Sequence, residues 1–216
     1  MSVKPSPELF DVLAPPLFEK TGVVKTLGQV LADHDWIGTF NLWIVQSVPQ
    51  PAIVYQQRSP EASWAPLKLD VAAGGHFQAG EELKDGMREV REELGKDYRF
   101  EDVNLLGRRL NVGVDIKGRL RQTVVSLALI EDNSPIESYV LQETEVFAIC
   151  TLPLADLLRV HVEPDYSFEI EGLTSQGVKI RIPVTSDSFP PNWDNYHYKM
   201  ALLVQRYLAG EKALLY

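Results

Sequence analysis

Apolar positions along the chain fall mostly into short continuous or alternating runs punctuated by glycine and proline, and a helical period appears in only a few places. Thr39 to Val45 and Ala52 to Gln57 are rich in β-branched and aromatic residues and are joined by Pro49-Gln50-Pro51, which predicts a hairpin leading towards Arg58. Leu69 to Ala73 predicts a strand entering a glycine turn. Val103 to Val114 and Leu120 to Ile130 predict strands around Lys117-Gly118, and Val146 to Thr151 predicts another. Tyr166 to Ile182 reads as a second hairpin, turning at Ser175-Gln176-Gly177. Leu83, Met87, Val90 and Leu94 recur at helical spacing and predict a helix from about Glu82 to Leu94, with Gly95 as its C-cap. A short helix is expected near Pro153. A last helix is expected from about Asn195 to Leu208, burying Met200, Leu203, Val204, Tyr207 and Leu208 and ending at Gly210. The first 20 or so residues hold Pro5, Pro7, Pro15 and Pro16, too many for a long helix, and read as an N-terminal extension in which Glu8 to Leu13 adds a short strand. Neither a repeat nor a low-complexity linker divides the chain, so one α/β domain over residues 1–216 is expected, a mixed sheet flanked by helices.

The predicted helix at 82–94 is chemically unusual. Opposite its apolar stripe stand Asp85, Glu89, Glu92 and Glu93, and like charges three and four residues apart destabilise an isolated helix by roughly 0.2–0.5 kcal/mol per pair. A divalent cation would offset that repulsion. Magnesium takes oxygen ligands and is commonly held by a few carboxylates plus substrate phosphates, which suits an acidic helix beside a glycine loop. The alternative is a solvated acidic helix of the kind many proteins carry.

The run Gly74-Gly75-His76-Phe77-Gln78-Ala79-Gly80-Glu81, followed by Arg88-Glu89-Val90-Arg91-Glu92-Glu93-Leu94-Gly95, resembles the Nudix box, GX5EX7REUXEEXGU with U a bulky aliphatic residue. Gly75 and Glu81 fit the first spacing, and Arg88, Glu89, Val90, Glu92, Glu93 and Gly95 fit the second half. Two departures stand out: six residues rather than seven separate Glu81 from Arg88, and Lys96 replaces the final aliphatic residue. Starting the frame at Gly74 restores the gap but puts Gly80 where a glutamate belongs, so the shortening is placed at the junction of loop and helix. The resemblance implies an α/β/α sandwich and Mg2+-dependent hydrolysis of a diphosphate linkage, with Mn2+ as an alternative ion. Glu89, Glu92 and Glu93 would hold metal, joined by the Gly74 carbonyl and by Glu81. Arg88 would orient the carboxylates, a role close to that of an ordinary ion pair with Glu92. Arg58, Gly75 and His76 would contact substrate. Glu89 is the first choice of general base, with Glu143 and Glu145 in a later acidic loop as the other candidates.

Outside the box, Glu8-Leu9-Phe10-Asp11-Val12, Phe40-Asn41-Leu42-Trp43-Ile44, Gln57-Arg58-Ser59 and Leu69 to His76 resemble the isopentenyl-diphosphate isomerase-like branch, over about residues 8 to 158. An isomerase-type site would need a cysteine where Gly74 stands and histidine ligands at about Leu31 and Ile37. Those groups are missing, and only His76 matches that pattern. Hydrolysis therefore leads, with isomerase chemistry or a non-catalytic nucleotide-binding module as alternatives.

Composition narrows the partners. A net charge of −9 without a concentrated basic patch argues against nucleic acid or an anionic membrane as a general partner, but leaves a small phosphorylated ligand compatible. No apolar run approaches the roughly 18–20 residues that span a bilayer, and no signal-like segment opens the chain, so a cytoplasmic setting is expected. The single cysteine, Cys150, lies in a predicted strand and reads as core packing. Arg119 and Arg121 flank Leu120 at strand spacing, facing either the substrate or, more simply, solvent. Trp36, Trp64 and Trp193 are candidates for base stacking. The acidic hairpin around Glu163, Asp165, Glu169 and Glu171 is a candidate lid or homodimer element.

Overall fold

The computed structural model describes residues 8–216, so Pro5 and Pro7 lie outside the described residues. The order of elements is β1 (Leu9–Ala14), β2 (Glu19–Thr26), α1 (Leu27–Asp33), β3 (Trp36–Gln46), β4 (Ala52–Arg58), β5 (Leu69–Val71), β6 (Ala73–His76), α2 (Leu83–Gly86), α3 (Arg88–Leu94), β7 (Asn104–Val114), β8 (Leu120–Glu131), β9 (Val146–Pro153), α4 (Leu154–Val160), β10 (Phe168–Thr174), β11 (Lys179–Val184) and α5 (Tyr196–Leu208).

All these strands join one mixed sheet organised by β3. Along one edge β3 pairs antiparallel with β1, then β6, then β4, and along the other it runs parallel to β8 from Trp36↔Gln122 to Val45↔Glu131. A strand with partners on both edges and helices on both faces reads as a continuous apolar run, as Leu42 to Val45 does. Its side chains alternate between two cores. Trp43 and Val45 pack with Tyr55 against Leu157 of α4 and Met200 and Val204 of α5, whereas Phe40, Leu42 and Ile44 pack against Val90 and Leu94 of α3. The result is the expected α/β/α sandwich. Cys150 is fully buried in β9, and burial pushes its thiol pKa upward.

The structure corrects several expectations. The short strand expected at Glu8 to Leu13 forms as β1, Leu9–Ala14, but it is integral to the sheet rather than part of an appended tail, because Val12 and Leu13 pair with Ile37 and Trp36. The following β2 and α1 were not anticipated, although Thr26 and Gln29 form a capping box that opens α1. Leu69 to Ala73 is not one strand: β5 pairs β4, the chain shifts at Ala72, and β6 pairs β3. The helix at 82–94 is broken at Met87 into α2 and α3. Gly86, the last residue of α2, packs so closely under the Phe77 ring that a Cβ would stand 2.6 Å from Cε1. Asp85 does not join the glutamate face, since its carboxylate accepts from the Glu82 main-chain N at 3.0 Å. Gly95 does cap α3, in the left-handed region at φ 63.

Candidate active site

The β6 turn and α3 meet because two glycines leave no side chain between them. In β6, a Cβ on Gly74 would stand 2.7 Å from the Phe40 main-chain oxygen and 2.7 Å from Asn41 Oδ1. On Gly75 it would stand 2.6 Å from Glu89 Cγ. This close approach brings the start of α3 over the edge of β6, and α3 directs its glutamates into a cavity of about 480 Å3.

The glutamates sit in different surroundings. Glu93 is 3% exposed, and its Oε2 accepts only two long bonds, from Gly74 N at 3.4 Å and Gln56 Nε2 at 3.4 Å. Burial, followed by the charges of Glu145 and Glu89, pushes its carboxyl well above the usual range. Glu89 is also raised by burial, partly offset by Arg88. Glu92 is half-exposed. Arg88 links the group: Nε donates to Glu81 Oε1 at 2.9 Å, and Nη1 donates to Glu89 Oε1 at 2.6 Å and Glu92 Oε2 at 3.3 Å. It is thus more than the partner of Glu92. Glu81 also accepts from Gln78 N at 2.8 Å and stands behind Arg88 instead of lining the cavity. Among the described residues, no three acidic, histidine or cysteine side chains converge on a metal-sized point as they stand: Glu81, Glu89 and Glu92 turn to Arg88, and Glu93 turns to Gly74 N and Gln56.

The opposite walls are basic and polar. Arg58, at the end of β4, donates to the Trp64 carbonyl at 3.0 Å and lies 3.5 Å from Asp70. Burial raises the Asp70 carboxyl despite that pair. His76 lines the cavity, and its ring is lowered to about 3 by burial and by the charges of Arg121 and Arg58, so it is neutral. The two arginines flanking Leu120 part company: Arg119 turns to Asp115 at 2.7 Å, whereas Arg121 faces the cavity. Of the acidic-loop pair, Glu145 lines the cavity, but Glu143 is exposed and accepts from Gln176 at 2.6 Å. That corrects Glu143 as a candidate base, since it does not reach the pocket.

Trp64 is the only one of the three singled-out tryptophans on the cavity wall. Trp36 stacks edge-on with Phe18, and Trp193 is 74% exposed. Glu163, Glu169 and Glu171 are spent on ion pairs with Arg159, Arg181 and Lys179. The positions that an isomerase-type site would fill with histidine are apolar core: Leu31 is 6% exposed, and Ile37 is 2% exposed, packed with Phe10 and Val30. Gly74 has no room for the cysteine.

Several lining residues escaped sequence reasoning. Arg109 and Asn111 of β7 form the floor with Thr123 and Val125 of β8. Tyr196 closes one side, its hydroxyl accepting from Asn41 Nδ2 at 2.8 Å and Trp43 Nε1 at 2.9 Å, with the Arg109 guanidinium 4.1 Å from its ring centre. No helix among the described residues is long and apolar enough to cross a membrane.

Comparison with known proteins adds the family. Over 180 residues, 77% of this chain and 82% of the relative, the sequence is 27% identical to an uncharacterized Nudix hydrolase of Clostridium acetobutylicum. It is 33% identical over 153 residues, 68% of this chain, to Nudix hydrolase 3 of Arabidopsis thaliana, of which the match spans only 19%. The fold is similar to that of DR0079 from Deinococcus radiodurans, with a TM-score of 0.53 and 19% identity over 70% of this chain and 86% of that one. The NUDIX domain profile matches residues 42–170, more than half of the chain and the whole of the glycine turn, acidic helix and cavity floor. The chain belongs to the Nudix family.

Proposed function

We propose that this protein is a Mg2+-dependent diphosphatase that cleaves the diphosphate linkage of a nucleoside diphosphate derivative or a similar small molecule. The observation that carries the reading is Glu93: a buried carboxylate at the wall of a 480 Å3 cavity, held by two long hydrogen bonds, raised by burial and by the charges of Glu145 and Glu89, and with no basic side chain within 4.0 Å among the described residues. A carboxylate so placed carries a desolvation cost of several kcal/mol unless a counter-ion meets it (of order ~1–3 kcal/mol even for a singly unmet polar group).

The donor set fits a hard divalent ion. Glu89, Glu92 and Glu93 offer carboxylate oxygens, and Gln56, whose Nε2 donates to Glu93, has a buried Oε1 that finds no partner among the described residues. Those three glutamates would hold Mg2+ or Mn2+, with the Gly74 carbonyl as a secondary donor, while Glu81, turned to Arg88 and outside the cavity lining, would support them from behind. A bound ion supplies neutralisation of the diphosphate oxygens and a lowered pKa for a bound water. The chain's own groups do the rest. Arg88 keeps Glu89 and Glu92 in place while leaving their outer oxygens available. Arg58 grips the diphosphate, its guanidinium only loosely committed to Asp70 at 3.5 Å. Water adds to one phosphorus as the bridging P–O bond breaks, so two phosphorylated products leave. Glu89 accepts the proton of that water; Glu145 is the other carboxylate within the cavity able to do so.

The test is Mg2+-dependent release of phosphate, pyrophosphate or monoester from a panel of nucleoside triphosphates, nucleotide sugars, dinucleotides and isopentenyl diphosphate, with Glu92→Ala/Glu93→Ala as control. Cleavage lost in the control is expected. Isomer formation without cleavage, or binding across the panel without turnover, would overturn the reading.

A further inference from the structure

Four arginines line the cavity, and three have a carboxylate within 4.0 Å: Arg88 has Glu81, Glu89 and Glu92, Arg109 has Asp194, and Arg58 has Asp70 at 3.5 Å. Arg121 is different. Among the described residues no carboxylate lies within 4.0 Å of it, and its side-chain partner is His76 Nε2 at 3.1 Å. A guanidinium has donors only, so Nε2 accepts, the ring proton is on Nδ1, and the imidazole is neutral. The contact therefore aims Arg121 without cancelling its charge.

The aim is set by strand register. Arg121, Thr123 and Val125 alternate on one face of β8, opposite Gly113, Asn111 and Arg109 of β7, and that face is the cavity floor. Gly113 has no side chain, which leaves space above it for the Trp64 indole; a Cβ there would already be 3.4 Å from Nε1. Burial and the charges of Arg58 and Arg119 lower the Arg121 guanidinium, with Asp115 acting in the opposite sense. The cavity wall thus carries the carboxylates of α3 on one element and the Arg121 guanidinium of β8 on another, and Arg58 also lines it. A half-buried guanidinium with no carboxylate within 4.0 Å among the described residues, facing an open cavity, is a waiting anion site.

We propose that Arg121, oriented by His76, anchors a second anion subsite away from Glu89, Glu92 and Glu93, and that the substrate carries a further oxyanion, phosphate or carboxylate, on the group attached to its diphosphate. The substrate statement rests on the hydrolase reading; the subsite rests on the geometry alone.

Isothermal titration in EDTA tests it without turnover, with inorganic phosphate and malonate as separate probes. Wild type is expected to bind at least one probe at a single site. Arg121→Gln and His76→Phe weaken that binding by about tenfold or more, while Arg119→Gln, which removes the same charge two residues away outside the cavity, changes it less than about twofold. Tighter phosphate identifies a phosphorylated tail, tighter malonate a carboxylated one. Absence of binding by wild type, unchanged binding by Arg121→Gln and His76→Phe, or an equal loss in Arg119→Gln overturns the subsite. A protein inactive on the hydrolysis panel that retains Arg121-dependent binding would refute the hydrolase reading and leave the subsite standing.

Discussion

Replacing Asp194 by Asn separates charge from shape at the point where the C-terminal segment is fastened to the cavity floor. Asp194 accepts from Arg109 Nε at 2.7 Å and Nη2 at 2.8 Å, and each side chain is only 4% exposed. Asn192 Oδ1 takes a further Nη2 bond at 3.0 Å, and the Tyr216 hydroxyl donates to Asp194 at 2.7 Å. Burial raises the Asp194 carboxyl, but the bonds from Arg109 and Tyr216 outweigh it and hold the group below its ordinary range. Removing one charge of such a pair costs about 3–5 kcal/mol, because the other is left buried without a partner. At about 2–4 °C per kcal/mol for a chain of this size, the melting temperature of Asp194→Asn falls by roughly 10 °C. Arg109→Met/Asp194→Leu leaves no orphan charge and should cost much less than the single changes together, giving a coupling of about 2 kcal/mol or more in a urea double-mutant cycle. A single-variant loss below about 1 kcal/mol, or additive costs, would refute the view that this pair is a dry, mutually dependent fastening.

Three further outcomes follow from the geometry. Gly74→Ala brings a Cβ to 2.7 Å from the Phe40 main-chain oxygen, which cannot move without disturbing the β3–β6 register, so urea denaturation should show a loss of about 1–3 kcal/mol together with reduced turnover. His197 is buried against Tyr55 and lowered to about 3 by burial, so it stays neutral in the folded state while the unfolded chain takes up a proton below its ordinary 6.5; stability contributed above that pH is lost as pH falls from 6.5 towards 3, at up to about 1.4 kcal/mol per pH unit, and His197→Phe should flatten that slope in chemical denaturation between pH 6 and 4 (roughly the middle of the window). Glu145→Gln, which removes a charge from the cavity wall beside the proposed metal ligands, should lower kcat by about tenfold or more, whereas Glu143→Gln leaves it unchanged, since only Glu145 of the two lines the cavity; equal effects would remove Glu145 from the site.

How far the sequence could be read depended on whether the signal was local. The β3–β4 hairpin, α3 with its Gly95 cap and the stripe of α5 were legible because turn residues and periodicity act within a few positions. The Thr26 to Gln29 capping box was equally local, and attention to it would have found α1. The cavity floor was not legible in this way. In β7 the apolar alternates Leu110, Val112 and Val114 are exposed, while the polar alternates Arg109, Asn111 and Gly113 face inward, so period-two patterning points to the wrong face. Arg119 and Arg121 have the same spacing and opposite surroundings, which the Asp115 turn and the partner strand decide. The break at Met87 follows directly after Gly86, whose contact with Phe77 is made by packing that helical periodicity does not encode.

The most direct test of the central claim is turnover of a diphosphate substrate by wild type and Glu93→Gln as a function of Mg2+, with urea denaturation run alongside. The buried carboxylate predicts that wild type turns over only with the divalent ion and that Glu93→Gln loses activity by about a hundredfold or more at every Mg2+ concentration, while remaining folded and at least as stable, because it no longer buries an unmet charge. Metal-independent turnover in wild type, or full Mg2+-dependent activity in folded Glu93→Gln, would contradict it.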